Sequence, residues 1–173
     1  TVHMDKPFLE NYVKMIVDTC HKRNIHAMGG MSAFIPTKDP IKNKEIINKI
    51  KQDKATEILI GCDGAWVAHP GLICYIQDLF DNKLSQDNQL SKIHNDPINH
   101  NDLTDLGINN SFTVDTANKN ISICLQYISA WLGGNGAVAI NNMMEDLATS
   151  EISVFQIKQW LNNNQTIRTE NHT

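Results

Sequence analysis

The chain has 173 residues, a net charge of −4 and a pI near 5.9. This length allows one modest core but is short for a complete (β/α)8 barrel, which usually takes about 250 residues. The acidic balance gives no sign of nucleic-acid binding, and no apolar run reaches the roughly 18 residues of a membrane span. Neither nucleic acid nor a membrane is therefore expected as a partner.

The first half of the chain alternates helical patterns with short apolar strands. Asp39 followed by Pro40 is a typical helix start, an N-cap residue with proline at the first helical position. Gly29-Gly30 is expected to end the strand before that helix, and Asn24 to stop the helix before the strand. The predicted elements are a helix over 7–23, a strand over 25–28, a helix over 39–60, a strand over 64–68 and a helix from Pro70.

The second half begins with a long polar connection over 84–112. A helix is predicted from Thr113 to Gly133, then a strand over 137–140 and a last helix over 150–162. Alternating helices and strands favour an α/β fold with parallel strands and right-handed crossovers. The polar blocks that follow the strands would then meet at one face of the sheet.

The four cysteines show no CxxC spacing and lie in apolar or helical patterns. They are expected to be reduced, buried thiols of a cytosolic protein. These cysteines are Cys20, Cys62, Cys74 and Cys124.

An acidic pair, Glu145-Asp146, directly follows the last predicted strand. Carboxylates at the exit of a buried strand are costly unless they bind something or do chemistry, and α/β folds build their sites there. Adjacent residues point different ways, so we expect only one of the two at a site and interpret Glu145 as structural.

This pair lies in one of three blocks that carry a family resemblance: Thr19–Pro36, Asp63–Leu72 and Met144–Ser153. In this order they resemble the malate synthases, in particular the shorter A type, whose members carry a Met-Glu-Asp-Ala-Ala-Thr-Ala-Glu-Ile-Ser run where the third block stands. The resemblance covers nearly the whole chain and is weakest over 84–112. It implies that the chain is a fragment, roughly the last third of such an enzyme, and the start at Thr1 without a methionine agrees with that.

The resemblance implies a fold of α/β class, a partial (β/α)8 TIM barrel leading into the start of a helical C-terminal domain. Residues 1–141 would be the C-terminal part of the barrel. Residues 142–173 would be an active-site linker and the first helix of the C-terminal domain.

The resemblance makes Asp146 the general base that removes a methyl proton from acetyl-CoA. The thioester α-proton is far less acidic than an aspartic acid of pKa about 3.9, so the enolate must be stabilised at once by donors or positive charge. In the family this help comes from an arginine and from Mg²⁺, whose ligands are expected outside this chain. The residues alone favour another role, in which Asp146 caps a helix starting near Ser150.

The resemblance also places Gly29, Gly30, Met31 and Pro36 beside CoA, and Met144 at the acetyl pocket. Paired glycines let a backbone approach a ligand closely, although a tight turn would also need them. Core packing remains an alternative for Met144, since a flexible thioether suits either role.

Two histidines in these blocks have simpler interpretations. His69, before Pro70, could be an acid or a metal ligand, but capping of the next helix is favoured. His21 follows Cys20, yet neighbours on a helix do not face each other, so a nucleophile–base pair is not expected.

Four positions depart from the family pattern: Cys62, Ala65, Leu147 and Val154. None of the four changes Asp146 itself. They leave open whether the family's polar network around Asp146 is complete in this chain.

The function implied is a malate synthase, an acyltransferase of the glyoxylate cycle that condenses acetyl-CoA with glyoxylate and water. Two alternatives remain: a silent fragment with residual acyl-CoA binding, and a lyase of the malyl-CoA type. The isolated chain is expected to be inactive. The expected compartment is the cytoplasm, or the peroxisome or glyoxysome if the source is eukaryotic.

Overall fold

A computed structural model describes residues 6–105 and 113–164. The chain divides into two compact units, Thr1–Ile108 and Asn109–Thr173, and each is described by itself. The boundary predicted between residues 141 and 142 falls inside the second unit. Because contacts within this chain do not test the domains of a longer protein, that boundary stays a prediction.

The first unit alternates helices and strands, as predicted. Its elements are α1 (Pro7–His21), β1 (Met28–Ser32), α2 (Pro40–Ile60), β2 (Gly64–Val67), a 3₁₀ turn (Pro70–Leu72) and α3 (Ile73–Lys83). The predicted start of α2 is confirmed: the Asp39 side chain accepts hydrogen bonds from the backbone N–H groups of Ile41 and Lys42. Asn24 follows α1 with a positive φ of 56°, a left-handed conformation that asparagine tolerates.

β1 and β2 pair in parallel, which confirms the predicted direction. The predicted span of the first strand is wrong: it begins at Met28, where we expected it to end. Gly29 and Gly30 lie inside the strand, at a bulge. Met28 pairs with Gly64 and Met31 with Trp66, so three steps along β1 match two along β2. Glycine suits such a bulge because no side chain has to fit there.

Two apolar clusters hold this unit together. The larger joins α2 to α3, and the smaller joins α1 to the segments before β1 and β2. Their buried members are Ile46, Ile50, Ile58, Leu72, Ile76 and Phe80 in the larger, and Val13, Val17, Ala27, Ile60 and Cys62 in the smaller.

The polar segment after α3 forms no helix or strand over 84–105, and the rest of the predicted connection lies outside the described residues. Side-chain contacts tie it to the unit. Gln89 donates to the carbonyls of Ile58 and Cys62, and the Asp18 carboxylate accepts from the His94 backbone N–H. Side-chain hydrogen bonds, and not helix or strand pairing, thus hold this connection against the rest of the first unit.

The second unit consists of α4 (Val114–Leu132), β3 (Val138–Ile140), β4 (Met143–Glu145) and α5 (Leu147–Asn162). A parallel third strand was expected, but β3 pairs with β4 in an antiparallel hairpin. Asn141 and Asn142 make its two-residue turn with φ of 52° and 61°. Positive φ at both positions is the geometry of the turn whose twist matches a hairpin. The helix predicted from residue 150 begins at Leu147.

One buried and one exposed polar contact join α4 to α5. The Cys124 thiol donates to the Ser150 carbonyl, and Asn120 donates to Gln156. The Tyr127 hydroxyl donates to the Gly136 carbonyl and so holds the loop before β3. No helix in the described ranges is long and apolar enough to cross a membrane.

All four cysteines are free thiols. The expectation of burial is confirmed for Cys62 and Cys124, whereas Cys20 is half-buried and Cys74 is exposed.

Candidate functional site

Asp146 lies between β4 and α5 and is the N-cap residue of α5. Its Oδ1 accepts a hydrogen bond of 2.9 Å from the Ala148 backbone N–H. The side chain is exposed, and no described residue donates to its Oδ2. The capping role considered from the sequence is therefore present. Only one of the two carboxylate oxygens is used for it.

The hairpin places the neighbours of Asp146 differently. Glu145 is buried, which agrees with its interpretation as structural, and Met144 is half-buried opposite Ala139. The alternation of a strand thus separates the two carboxylates. Asp146 is the one that other molecules can reach.

Gly29, Gly30 and Met31 belong to the first unit and lie on β1. Met31 pairs with Trp66 on β2. The exposed fraction is 59% for Met28, 44% for Met31 and 67% for Trp66. Gly30 is also exposed, and no atom lies within 4 Å of where its Cβ would be. We call this set, Met28, Gly30, Met31 and Trp66, the open face of the sheet.

Pro36 follows β1 and is half-buried. Its Cγ lies 3.6 Å from the position that a Cβ on Gly71 would occupy, so Pro36 is beside the turn after β2. His69 begins that turn, and its Nδ1 accepts a hydrogen bond of 3.0 Å from the Gly71 N–H. This confirms the predicted capping role of His69.

A buried ion pair lies behind the glycines of β1. Lys54 Nζ is 2.9 Å from Oε1 and 3.0 Å from Oε2 of Glu57, and it also donates to the Gly30 carbonyl at 2.5 Å. The two side chains are 3% and 4% exposed. Burial raises the pKa of Glu57, although the charge and hydrogen bond of Lys54 and the Gly30 N–H oppose the change. Burial of the Cys62 thiol, with the negative charge of Glu57 nearby, raises the pKa of Cys62 to about 12.

A second buried pair, His21 with Asp63, joins α1 to the start of β2. His21 Nε2 lies 2.9 Å from Asp63 Oδ2, and His21 Nδ1 lies 2.7 Å from the Lys92 carbonyl oxygen. Both ring nitrogens therefore have an oxygen partner, one on Asp63 and one on the backbone of the connection after α3.

Asp63 also accepts from the backbone N–H groups of Ala27 and Gln89. Burial alone would raise the pKa of Asp63. The hydrogen bonds from Gln89, Ala27 and His21 outweigh it, and the pKa is lowered. This carboxylate thus joins α1, the segment before β1 and the connection after α3, which is a structural role.

The predicted site residues fall into two groups. Asp146 and Met144 lie in the second unit, at the hairpin and the start of α5. Gly29, Gly30, Met31 and Pro36 lie in the first, on β1 and beside the turn after β2. None of these six residues lines the cavity of about 640 Å³ that the first unit holds between β2 and α3.

Sequence reasoning missed Lys54, Glu57 and Trp66. A signal existed for the pair: Lys54 lies four residues after Ile50 and four before Ile58, in the middle of the apolar stripe of α2. A charged residue there must be paired or solvated. For Trp66, strand alternation alone left its face undecided.

The described residues do not fit a metal site. Within 6–105 and 113–164, no group of three or more His, Cys, Asp or Glu side chains is placed to hold a metal ion.

Comparison with known proteins gives consistent matches over both units. Residues 1–106 match the model of the malate synthase TIM barrel domain, and residues 111–173 match that of the malate synthase C-terminal domain. The chain is 45% identical over 162 residues to malate synthase of Myxococcus xanthus, which covers 92% of the chain and 30% of the relative. It is 44% identical over 169 residues to malate synthase A of Escherichia coli, covering 96% and 32%.

A third relative, glyoxysomal malate synthase of Candida tropicalis, is 41% identical over 92% of the chain and 30% of its own length. The chain thus spans about a third of the length of these relatives. With matches to both domain models across its length, the chain belongs to the malate synthase family.

Proposed function

We propose that this chain is the part of a malate synthase that supplies the general base, Asp146, and one wall of the acyl-CoA site. The observation that carries the proposal is the position of Asp146. It is exposed directly after a strand, with one carboxylate oxygen held by a backbone N–H and the other without a described donor.

The hydrogen bond from Ala148 N–H limits rotation of the Asp146 carboxylate and leaves Oδ2 to accept a proton. In the proposed reaction Oδ2 removes a proton from the methyl carbon of acetyl-CoA. The resulting enolate attacks the aldehyde carbon of glyoxylate, and water then cleaves the thioester to release CoA and malate. A positioned base of this kind contributes about 10²–10⁴-fold to the rate.

The open face of the sheet is the proposed wall for acyl-CoA. Gly30 has open space where a side chain would be, so a ligand can approach its backbone. Met31 and Trp66 offer adjoining apolar surface. Met144 would line the acetyl pocket from the hairpin.

β1 and β2, which are parallel and joined through α2, would be neighbouring strands of the complete barrel. Mg²⁺ is proposed for the complete protein only, because the described residues do not fit a metal site.

The test is Asp146→Asn in the complete protein that carries this chain. Asparagine caps helices about as well as aspartate, so the start of α5 should be preserved while the base is removed. We expect the kcat of malate formation to fall by about 10²–10⁴-fold, with acetyl-CoA binding by calorimetry and the unfolding temperature unchanged.

Asp39→Asn is the matched control, because Asp39 caps α2 in the same manner and has no proposed role in the chemistry. It should leave kcat unchanged. Near-normal turnover of Asp146→Asn would refute the assignment of the base. Absence of malate formation by the unmodified protein would refute the function itself.

A further inference from the structure

The bulge in β1 takes the backbone of Gly30 out of the regular ladder. Three steps along β1 match two along β2 at this place, so the groups at Gly29 and Gly30 are not paired as in an ordinary strand. Backbone groups that leave the ladder need other partners. For the Gly30 carbonyl this partner comes from α2.

Lys54 and Glu57 lie against both polar groups of Gly30. Lys54 Nζ donates to the Gly30 carbonyl, and the Gly30 N–H is close enough to the Glu57 carboxylate to act toward a lower pKa of Glu57. The three protons of the Lys54 ammonium meet three acceptors, two of them on Glu57. With side chains 3% and 4% exposed, the pair has little freedom to move.

Gly29 shows how closely the pair fits the bulge. A Cβ at Gly29 would lie 1.9 Å from Glu57 Oε2, so the carboxylate occupies the space that a side chain would need. Gly30 has open space on its own Cα. The bulge is thus held from behind by the ion pair and presents Gly30 on the open face.

We propose that Lys54 and Glu57 are positioning residues, which fix the Gly30 peptide at the wall that receives the pantetheine arm of acyl-CoA. This inference rests on the proposed function. A buried ion pair is often no more stabilising than apolar residues of similar volume, so stability alone does not explain its presence. The presence of the pair is explained if it fixes the orientation of the Gly30 peptide group.

The test compares variants of the complete protein by the Kd of acetyl-CoA from calorimetry and by KM for each substrate. Lys54→Met/Glu57→Leu replaces the pair by apolar side chains of similar size, a change that buried ion pairs often tolerate. We expect the Kd and KM of acetyl-CoA to rise about tenfold or more, while KM for glyoxylate stays within about twofold. Deuterium exchange at the Gly30 amide should become faster.

Two controls separate positioning from general damage. Glu10→Leu/Lys14→Met makes the same change at a partly exposed pair on α1 and should leave all constants unchanged. Ile50→Val removes a methyl group from the core of α2 and should lower stability by about 1 kcal/mol without a change in acetyl-CoA affinity.

The acetyl-CoA affinity of the double variant decides whether the pair has a positioning role. If the double variant folds and binds acetyl-CoA like the unmodified protein, the positioning role is overturned. If it does not fold, Glu57→Gln, which keeps the shape, carries the test: a severalfold weaker acetyl-CoA affinity is expected, and an unchanged one overturns the role. If the unmodified protein makes no malate, the proposed function fails first and the positioning role with it.

Discussion

Substitution of Gly29 by alanine should destabilise the first unit far more than the same substitution at Gly30. The new Cβ at position 29 would lie 1.9 Å from Oε2 and 2.7 Å from Cδ of Glu57. A glutamate end can usually swing away, but this one is buried and bound to Lys54. Movement therefore loses at least one hydrogen bond to a charged group.

The expected cost of Gly29→Ala follows from these contacts. Overpacking costs about 1–3 kcal/mol, and a lost hydrogen bond to a charged group costs about 1.5–3 kcal/mol. Because movement of Glu57 relieves part of the overpacking, we expect a total near 3 kcal/mol. At Gly30 no atom lies within 4 Å of the new Cβ and φ is not in the left-handed region, so Gly30→Ala should change stability by no more than about 0.5 kcal/mol.

The assay is urea unfolding followed by the fluorescence of Trp66, which lies on β2 beside Met31. Trp131, Trp160 and any tryptophan of the complete protein outside this chain are replaced by phenylalanine in every variant, so that the signal reports on the first unit. A lower midpoint at an unchanged slope for Gly29→Ala alone is the expected result. Equal midpoints for the two alanine variants would show that Glu57 does not occupy the space behind Gly29.

Two further predictions concern buried groups. Because the folded pKa of Asp63 is lowered, its stabilising contribution is present above its unfolded pKa of about 3.9 and is lost as the pH falls through the folded value. Asp63→Asn should thus lose about 3–5 kcal/mol at pH 7, because it removes one partner of a buried pair. Urea midpoints of this variant should fall less steeply between pH 7 and pH 2 than those of the unmodified protein, and equally steep curves would contradict this. With a pKa of about 12, Cys62 should react with a disulfide reagent only after unfolding, whereas the exposed Cys74 should react in the folded protein. Mass spectrometry of the labelled peptides checks this, and equal rates at the two thiols would contradict it.

The sequence predicted best the elements whose limits depend on neighbouring residues. Asp39 with Pro40 gave the start of α2, and His69 with Pro70 gave the cap after β2, because capping is decided within one turn. The parallel direction of β1 and β2 also followed from local order, since a helix joins them.

The strands were harder because their ends depend on distant partners. Gly29-Gly30 resembled a strand end, yet α2 supplies the ion pair that lets the strand continue through a bulge. Asn141-Asn142 was the missed signal for the hairpin, since asparagine tolerates positive φ. As a result, a third parallel strand was expected where β3 folds back on β4.

The candidate base could be named from the resemblance but not from local pattern. Asp146 has the sequence context of a helix cap, and it is one. The residues around Asp146 in the sequence do not distinguish an aspartate that only caps a helix from one that also accepts a proton. That distinction depends on a second carboxylate oxygen, which no sequence pattern describes.

The two-asparagine turn has a consequence for how the chain can vary in length. Side chains alternate across β4, so losing or gaining one residue between Ile140 and Met143 would exchange the inner and outer positions of the β4 residues, and Glu145 would leave the interior. The polar connection over 84–105 carries no such pairing, so one added residue there would not reverse the faces of a strand. We therefore expect the spacing from Ile140 to Asp146 to tolerate a change in length less well than that connection.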